Sequence, residues 1–89
     1  MAHHASAKKR IRQAERRNIA NRLVNATVRT RIKKLRRALD EGDEATAKEL
    51  LPTALEGLDR AVSKKCLHWR TAARKISRLQ RAFNKVVAR

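Results

Sequence analysis

The sequence predicts an all-α protein: an antiparallel three-helix bundle with a long N-terminal helix projecting beyond the bundle. Three observations carry this reading. Two glycines and one proline in 89 residues leave few helix breakers. Ala, Arg, Lys, Leu and Glu, all good helix formers, dominate the chain. Apolar residues recur at helical spacing in three segments joined by two short links, which folds neighbouring helices back on one another. The length suits one domain, residues 1–89, with a modest core.

Residues 1–5 read as a flexible tail. Helix 1 is expected over 6–39, although Ser6-Ala7-Lys8-Lys9-Arg10 supplies no acid to cap it. In its second half Ala20, Val24, Val28, Ile32, Leu35 and Leu39 form one apolar stripe. The first half holds only Ile11, Ile19 and Leu23 among many bases, so about 15 residues should project, unpartnered and basic on nearly every side. A helix with no packing partner is marginal, so this arm is expected to be disordered in the free protein and to order on a polyanion.

Gly42 suits the left-handed position that closes helix 1, and Asp43 suits the N-cap of helix 2, expected over 44–64. Ala47, Leu50, Leu51, Ala54, Leu58, Ala61 and Val62 give helix 2 its apolar face. Pro52 removes a backbone donor and crowds the carbonyl of Lys48, which predicts a kink or break near Leu51. In helix 3, expected over 68–87, Ala72, Ile76, Leu79, Phe83 and Val86 step by four and three.

Charge narrows the function. Twenty-four Lys and Arg face eight Asp and Glu, for a formal net charge of +16 and a pI near 11.7. Residues 1–39 carry 13 bases and one acid, 40–59 carry seven acids and one base, and 60–89 carry ten bases and no acid. Solvated helix faces normally mix signs to gain i,i+4 pairs, and outside the middle block these bases have almost nothing to pair with. Binding to a polyanion is the better account. Arg74, Arg78, Arg81 and Lys85 repeat with the apolar seam of helix 3, offset by two residues or about 200°. On helix 1, Arg22, Arg29, Lys33 and Arg36 lie one residue off the apolar stripe, with Arg31 and Lys34 on its other flank. The acidic block reads as partial neutralisation of the flanking helices or as a water-facing surface.

Other classes find little support. The single cysteine, Cys66, rules out an intramolecular disulfide or a cysteine-based zinc cluster and reads as a small, partly buried side chain. His3 and His4 read as tail residues, and His68 as a helix-entry or RNA-facing residue with no second ligand at metal spacing. Trp69 is read first as packing across the loop end of the bundle and second as stacking on a base or ribose. No phosphate loop, nucleophile–base pair or cleft with converging carboxylates can be assembled, so an enzyme is not expected, nor a cofactor or small-molecule substrate. No apolar run approaches a membrane span, and no apolar core follows the first bases as in a signal peptide. The Arg-rich N-terminus has the composition of a transit peptide, but its pattern continues unbroken into a structural helix. A cationic membrane-surface helix is disfavoured by alanine-rich apolar faces and only two aromatics.

Charge alone does not separate RNA from DNA. One cysteine excludes zinc fingers, the broken helices exclude a basic zipper, and the scarcity of aromatics excludes aromatic-platform RNA folds. Helix-mediated binding to backbone and groove shape remains, and it suits folded RNA or a nucleoid protein. Specific residues add to this. Ser6-Ala7-Lys8-Lys9-Arg10, Arg29-Thr30 with Ile32-Lys33-Lys34, Gly42-Asp43, Leu67-His68, Ala72-Ala73-Arg74 and Ser77-Arg78-Leu79 occur in one order. Over residues 6–87 this resembles the bacterial small-subunit ribosomal protein S-twenty family. The resemblance implies a cytoplasmic three-helix bundle in the small ribosomal subunit that binds 16S ribosomal RNA directly and early in assembly. Its long helix would reach among RNA helices of the 5′ domain, its bundle would contact the long penultimate helix, and other small-subunit components would be neighbours. By match, Lys8, Lys9, Arg10, Lys33, Lys34, His68, Arg74, Ser77 and Arg78 inherit RNA contacts. To these the basic pattern adds Arg12, Arg16, Arg17, Arg22, Arg29, Arg36, Arg70, Arg81 and Lys85. The sequence departs from the family at three places. Lys64-Lys65 stand where the family has Lys-Gly, Trp69-Arg70 replace a Lys-Asn-like stretch, and Pro52 and Gly57 interrupt the middle helix. A nucleoid-type DNA-binding protein is the alternative.

Overall fold

A computed structural model describes residues 2–88, with side chains from His4 onward. Three helices follow in order: α1 (Ala2–Asp40), α2 (Glu44–Ser63) and α3 (Trp69–Val87). The expected tail is helical instead. Ala2–Ala5 lie within α1, because Ala2, Ala5 and Ala7 favour helix and nothing before Ser6 interrupts it. Met1 and the His3 side chain lie outside the described residues. The other boundaries fall within a residue of those expected.

Both links are helix-stop motifs of the same design. At the first, the Gly42 N–H donates to the Leu39 carbonyl at 3.1 Å and Asp43 N–H to the Ala38 carbonyl at 2.9 Å, with Gly42 at φ 70°. The pattern satisfies carbonyls that the last turn of α1 leaves unpaired. Asp43 then caps α2, accepting from the Thr46 N–H at 3.2 Å and the Thr46 hydroxyl at 2.6 Å. These bonds favour the carboxylate and hold its pKa below the usual value. At the second link, the Lys65 N–H donates to the Val62 carbonyl at 2.9 Å and Cys66 N–H to the Ala61 carbonyl at 2.8 Å. Here Lys65, at φ 59°, takes the left-handed position that glycine usually fills. The turn keeps its shape without the glycine.

α2 runs antiparallel to α1: Arg31 meets Thr53, Val28 meets Gly57, and Asn21 meets Cys66. Pro52 does not break α2, which is helical from Glu44 to Ser63. Pro52 is exposed, while Ala47 and Ala54 on either side are fully buried, so packing holds the segment across the missing bond. The core joins Val28, Leu35, Ala38 and Leu39 of α1, Ala47, Ala54, Leu58 and Ala61 of α2, and Leu79 of α3. Alanines supply nearly half of it, which lets the helices approach closely. Gly57 extends that approach. A Cβ there would lie 3.3 Å from Arg31 Nη1 and 3.7 Å from Val28 Cγ2. α2 packs against both other helices, and α1 and α3 touch least.

The core leaves much of α1 outside. Every residue from His4 to Ala20 is exposed, including Ala20, the expected first member of the apolar stripe. Packing begins at Asn21 and Val24, so the exposed arm covers residues 4–20, about the length expected. The molecule measures 68 × 20 × 14 Å with a radius of gyration of 17.7 Å, against about 12 Å for a compact chain of this length.

Candidate nucleic-acid interface

Most of the expected contacts fall on three surfaces. The first is the arm, where Lys8, Lys9, Arg10, Arg12, Arg16 and Arg17 are all exposed. Arg22, also exposed, marks the point where the arm meets the bundle. The second is a groove beside α1 lined by Arg29, Ile32, Lys33, Arg36, Arg37 and Asp40, with Lys75 of α3 closing its other side. Lys34 is exposed on α1 but does not line this groove. The third is α3, whose Arg74, Arg78, Arg81 and Lys85 are exposed while Ala72, Ile76, Leu79, Phe83 and Val86 turn inward, fully or partly buried. Ser77 is half-buried between these two faces.

Electrostatics leaves these side chains available. Among the described residues the salt bridges are Arg37–Glu41 at 3.2 Å and Arg60–Glu56 at 2.7 Å, both i,i+4 on exposed surface. Neither uses one of the expected contacts. All seven acids of the middle block are exposed. Glu41 neutralises the last turn of α1 and Glu56 its own helix, so the arm and α3 keep their charge. The result is a rod with positive charge on several sides of its length, suited to lie between polyanionic surfaces.

The end of the bundle where α2 turns into α3 corrects one expectation. Trp69 does not pack across the loop end: it is 60% exposed and lies outside the core. The reason is local. His68 caps α3 by accepting the Arg70 N–H at Nδ1, 3.2 Å away, and the helix therefore starts at Trp69 with its side chain turned outward. Cys66 is half-buried, its Sγ donating to Asn21 Oδ1 at 3.1 Å and so tying this turn to α1.

Several basic residues near the interface were not singled out from sequence. Lys75 precedes the seam residue Ile76, and that flanking position places it at the α1 groove. A second groove, between α1 and α2, is lined by Val24, Thr27, Val28, Arg31, Gly57, Arg60 and Lys64. Arg31 is half-buried there and donates through Nη1 to the Thr53 carbonyl at 3.2 Å. Its role is partly structural, which its place among the bases flanking the stripe did not reveal. No cluster of three or more His, Cys, Asp or Glu suited to a metal occurs among the described residues. No helix among them is long and apolar enough to cross a membrane.

A profile described as Ribosomal protein S20 matches residues 2–84, nearly the whole chain. The chain belongs to the ribosomal protein S20 family. Relatives match over most of their own length. The small ribosomal subunit protein bS20 of Solidesulfovibrio magneticus is 52% identical over 85 residues, covering 96% of each chain. The protein of the same name from Desulfovibrio desulfuricans is 47% identical over 88 residues and 99% of each chain. That of Persephonella marina is 46% identical over 94% of this chain and 91% of its own. The S20 match spans the arm as well as the bundle, so the projecting part of α1 is part of what the family shares.

Proposed function

We propose that this protein is a structural component of the small ribosomal subunit that binds 16S ribosomal RNA directly and acts in the cytoplasm. The observation that carries the reading is the arm. Residues 4–20 extend from the core with six Lys and Arg exposed and one acid, Glu15. A projecting basic helix is of no use to the fold, and it fits a channel walled by phosphates. In this reading the arm lies among RNA helices of the 5′ domain and the bundle sits against the long penultimate helix, beside other small-subunit components. Arg and Lys from α1 and α3 neutralise phosphates so that adjacent RNA helices can pack. The protein acts by position and charge, with no chemical step. Phosphate contacts carry no sequence information, so selectivity comes from RNA shape.

A competition experiment over a salt series tests this, offering folded 16S 5′-domain RNA against random duplex DNA. Non-specific binding collapses as salt rises, because each phosphate contact adds to the slope of log affinity against log salt. The expected result is a preference for the RNA that persists near physiological salt. Equal and equally salt-sensitive binding to both would favour a nucleoid-type protein. The double substitution Arg74→Ala with Arg78→Ala should weaken RNA binding and shift the melting temperature of the free protein by no more than about 4 °C, as expected for exposed side chains away from the core.

A further inference from the structure

We infer that the corner formed by His68, Trp69 and Arg70 is a base-stacking site, in which the Trp69 indole receives an unpaired nucleobase of the bound RNA. The inference rests on the RNA-binding role proposed above and adds to it a contact of different chemistry. Trp69 is the first residue of α3 and is 60% exposed. The other large exposed apolar residues are Ile11, Ile19 and Leu23 on α1 and Val87 in the last turn of α3. At this corner the exposed side chain is aromatic and is accompanied by two further planar groups. The His68 ring stacks on the indole with centroids 5.9 Å apart and planes 25° from parallel. That ring is itself fixed, because Nδ1 accepts the Arg70 N–H and so caps the helix. The Arg70 guanidinium stands 5.3 Å from the indole centroid.

Such an indole is oriented without being buried. A stacking partner then loses little freedom in meeting it. The guanidinium distance lies within cation–π range and is loose enough for the exposed Arg70 to swing to the phosphate of the same nucleotide. Charge points the same way. Lys64 and Lys65 stand just before the corner, and residues 60–89 contain no acid. The occupant is an unpaired base from a loop, bulge or strand end, since a base inside a duplex has both faces taken. Stacking on an aromatic also tolerates any base, so the site adds affinity and register more than sequence choice.

The chain has one Trp and no Tyr, so its intrinsic emission reports on this position alone. The experiment titrates the full-length protein with folded 16S RNA, following emission for the wild type and affinity for the wild type, Trp69→Phe and Trp69→Ala. Emission should be quenched as RNA binds. Trp69→Ala should weaken binding about 5- to 150-fold, the range for losing one stacked base, and Trp69→Phe should recover most of that. The salt slope should fall by no more than the one Arg70 phosphate contact, about 0.7–0.9. Binding with unchanged emission, and an affinity for Trp69→Ala within twofold of wild type, would overturn the site while leaving the RNA-binding role intact. A matching fall in the melting temperature of free Trp69→Ala would make the side chain structural and overturn it too. Failure of the wild type to bind would remove the ribosomal reading, and this site with it.

Discussion

Lys65 shows how a single residue can strain a turn without changing it. Its φ of 59° is the conformation that costs an L-residue about 1–2 kcal/mol and glycine almost nothing. The side chain is exposed, so removing it sacrifices no packing. Lys65→Gly should therefore stabilise the protein by about 1 kcal/mol, after allowing for the greater freedom of glycine in the unfolded chain. For a domain of this size that is a rise of about 4–8 °C in melting temperature. An unchanged Tm would show that the turn relaxes when freed. Gly57 is the opposite case, since its φ is ordinary and space is what it supplies. Gly57→Ala gains helix propensity of about 1 kcal/mol but presses on Arg31 at 3.3 Å, putting its bond to Thr53 at risk. The two effects nearly cancel, whereas Gly57→Leu should cost about 1–3 kcal/mol by overpacking. Asp43 supplies the pH dependence. Its folded pKa lies below the unfolded one, so its stabilisation is complete above the ordinary carboxylate range and disappears as pH falls through the folded value. In melts taken below about pH 4, the wild type should lose stability that Asp43→Asn does not.

At the scale of elements, periodicity was the most legible signal and the breakers the least. The seam of α3 and the basic stripe opposite it could be read residue by residue, because a helix maps spacing directly onto direction. At Pro52 the local penalty was visible, but the burial of Ala47 and Ala54 that keeps the helix unbroken was not. Trp69 misled for a related reason: a large aromatic usually packs inward, and only the cap at His68 turns it out. The Schellman geometry at Lys65 was hidden because it depends on bonds to Ala61 and Val62 rather than on the turn residue's identity. The arm of α1 has helix without tertiary support. Lys8, Arg12 and Arg16 stand four apart, and like charges at that spacing destabilise a helix by a few tenths of a kcal/mol per pair. Amides before Asn21 should exchange orders of magnitude faster than those around Leu35 and Leu58 in the free protein, and slow when RNA is added. Helical content should rise on binding as well. Equal protection along α1 without RNA would mean the arm is stable on its own.

Considered whole, the protein separates its stability from its charge. The core lies between residues 24 and 86, whereas six of the bases expected to meet RNA lie before residue 18. That division makes deletion of residues 2–18 an informative test. The bundle should survive, because Asn21 keeps its contact with Cys66 and no residue of the core is lost. Large truncations generally lower the melting temperature, but here self-repulsion also decreases, by removal of six positive charges and one negative. The shortened protein should melt at or slightly above the wild-type temperature. Binding should change sharply. Each lost phosphate contact lowers the salt slope by about 0.7–0.9, so a fully engaged arm predicts a slope smaller by about four to five. A slope lower by only one or two would mean that most arm bases face solvent in the complex, leaving α3 and the α1 groove as the principal RNA-binding surfaces.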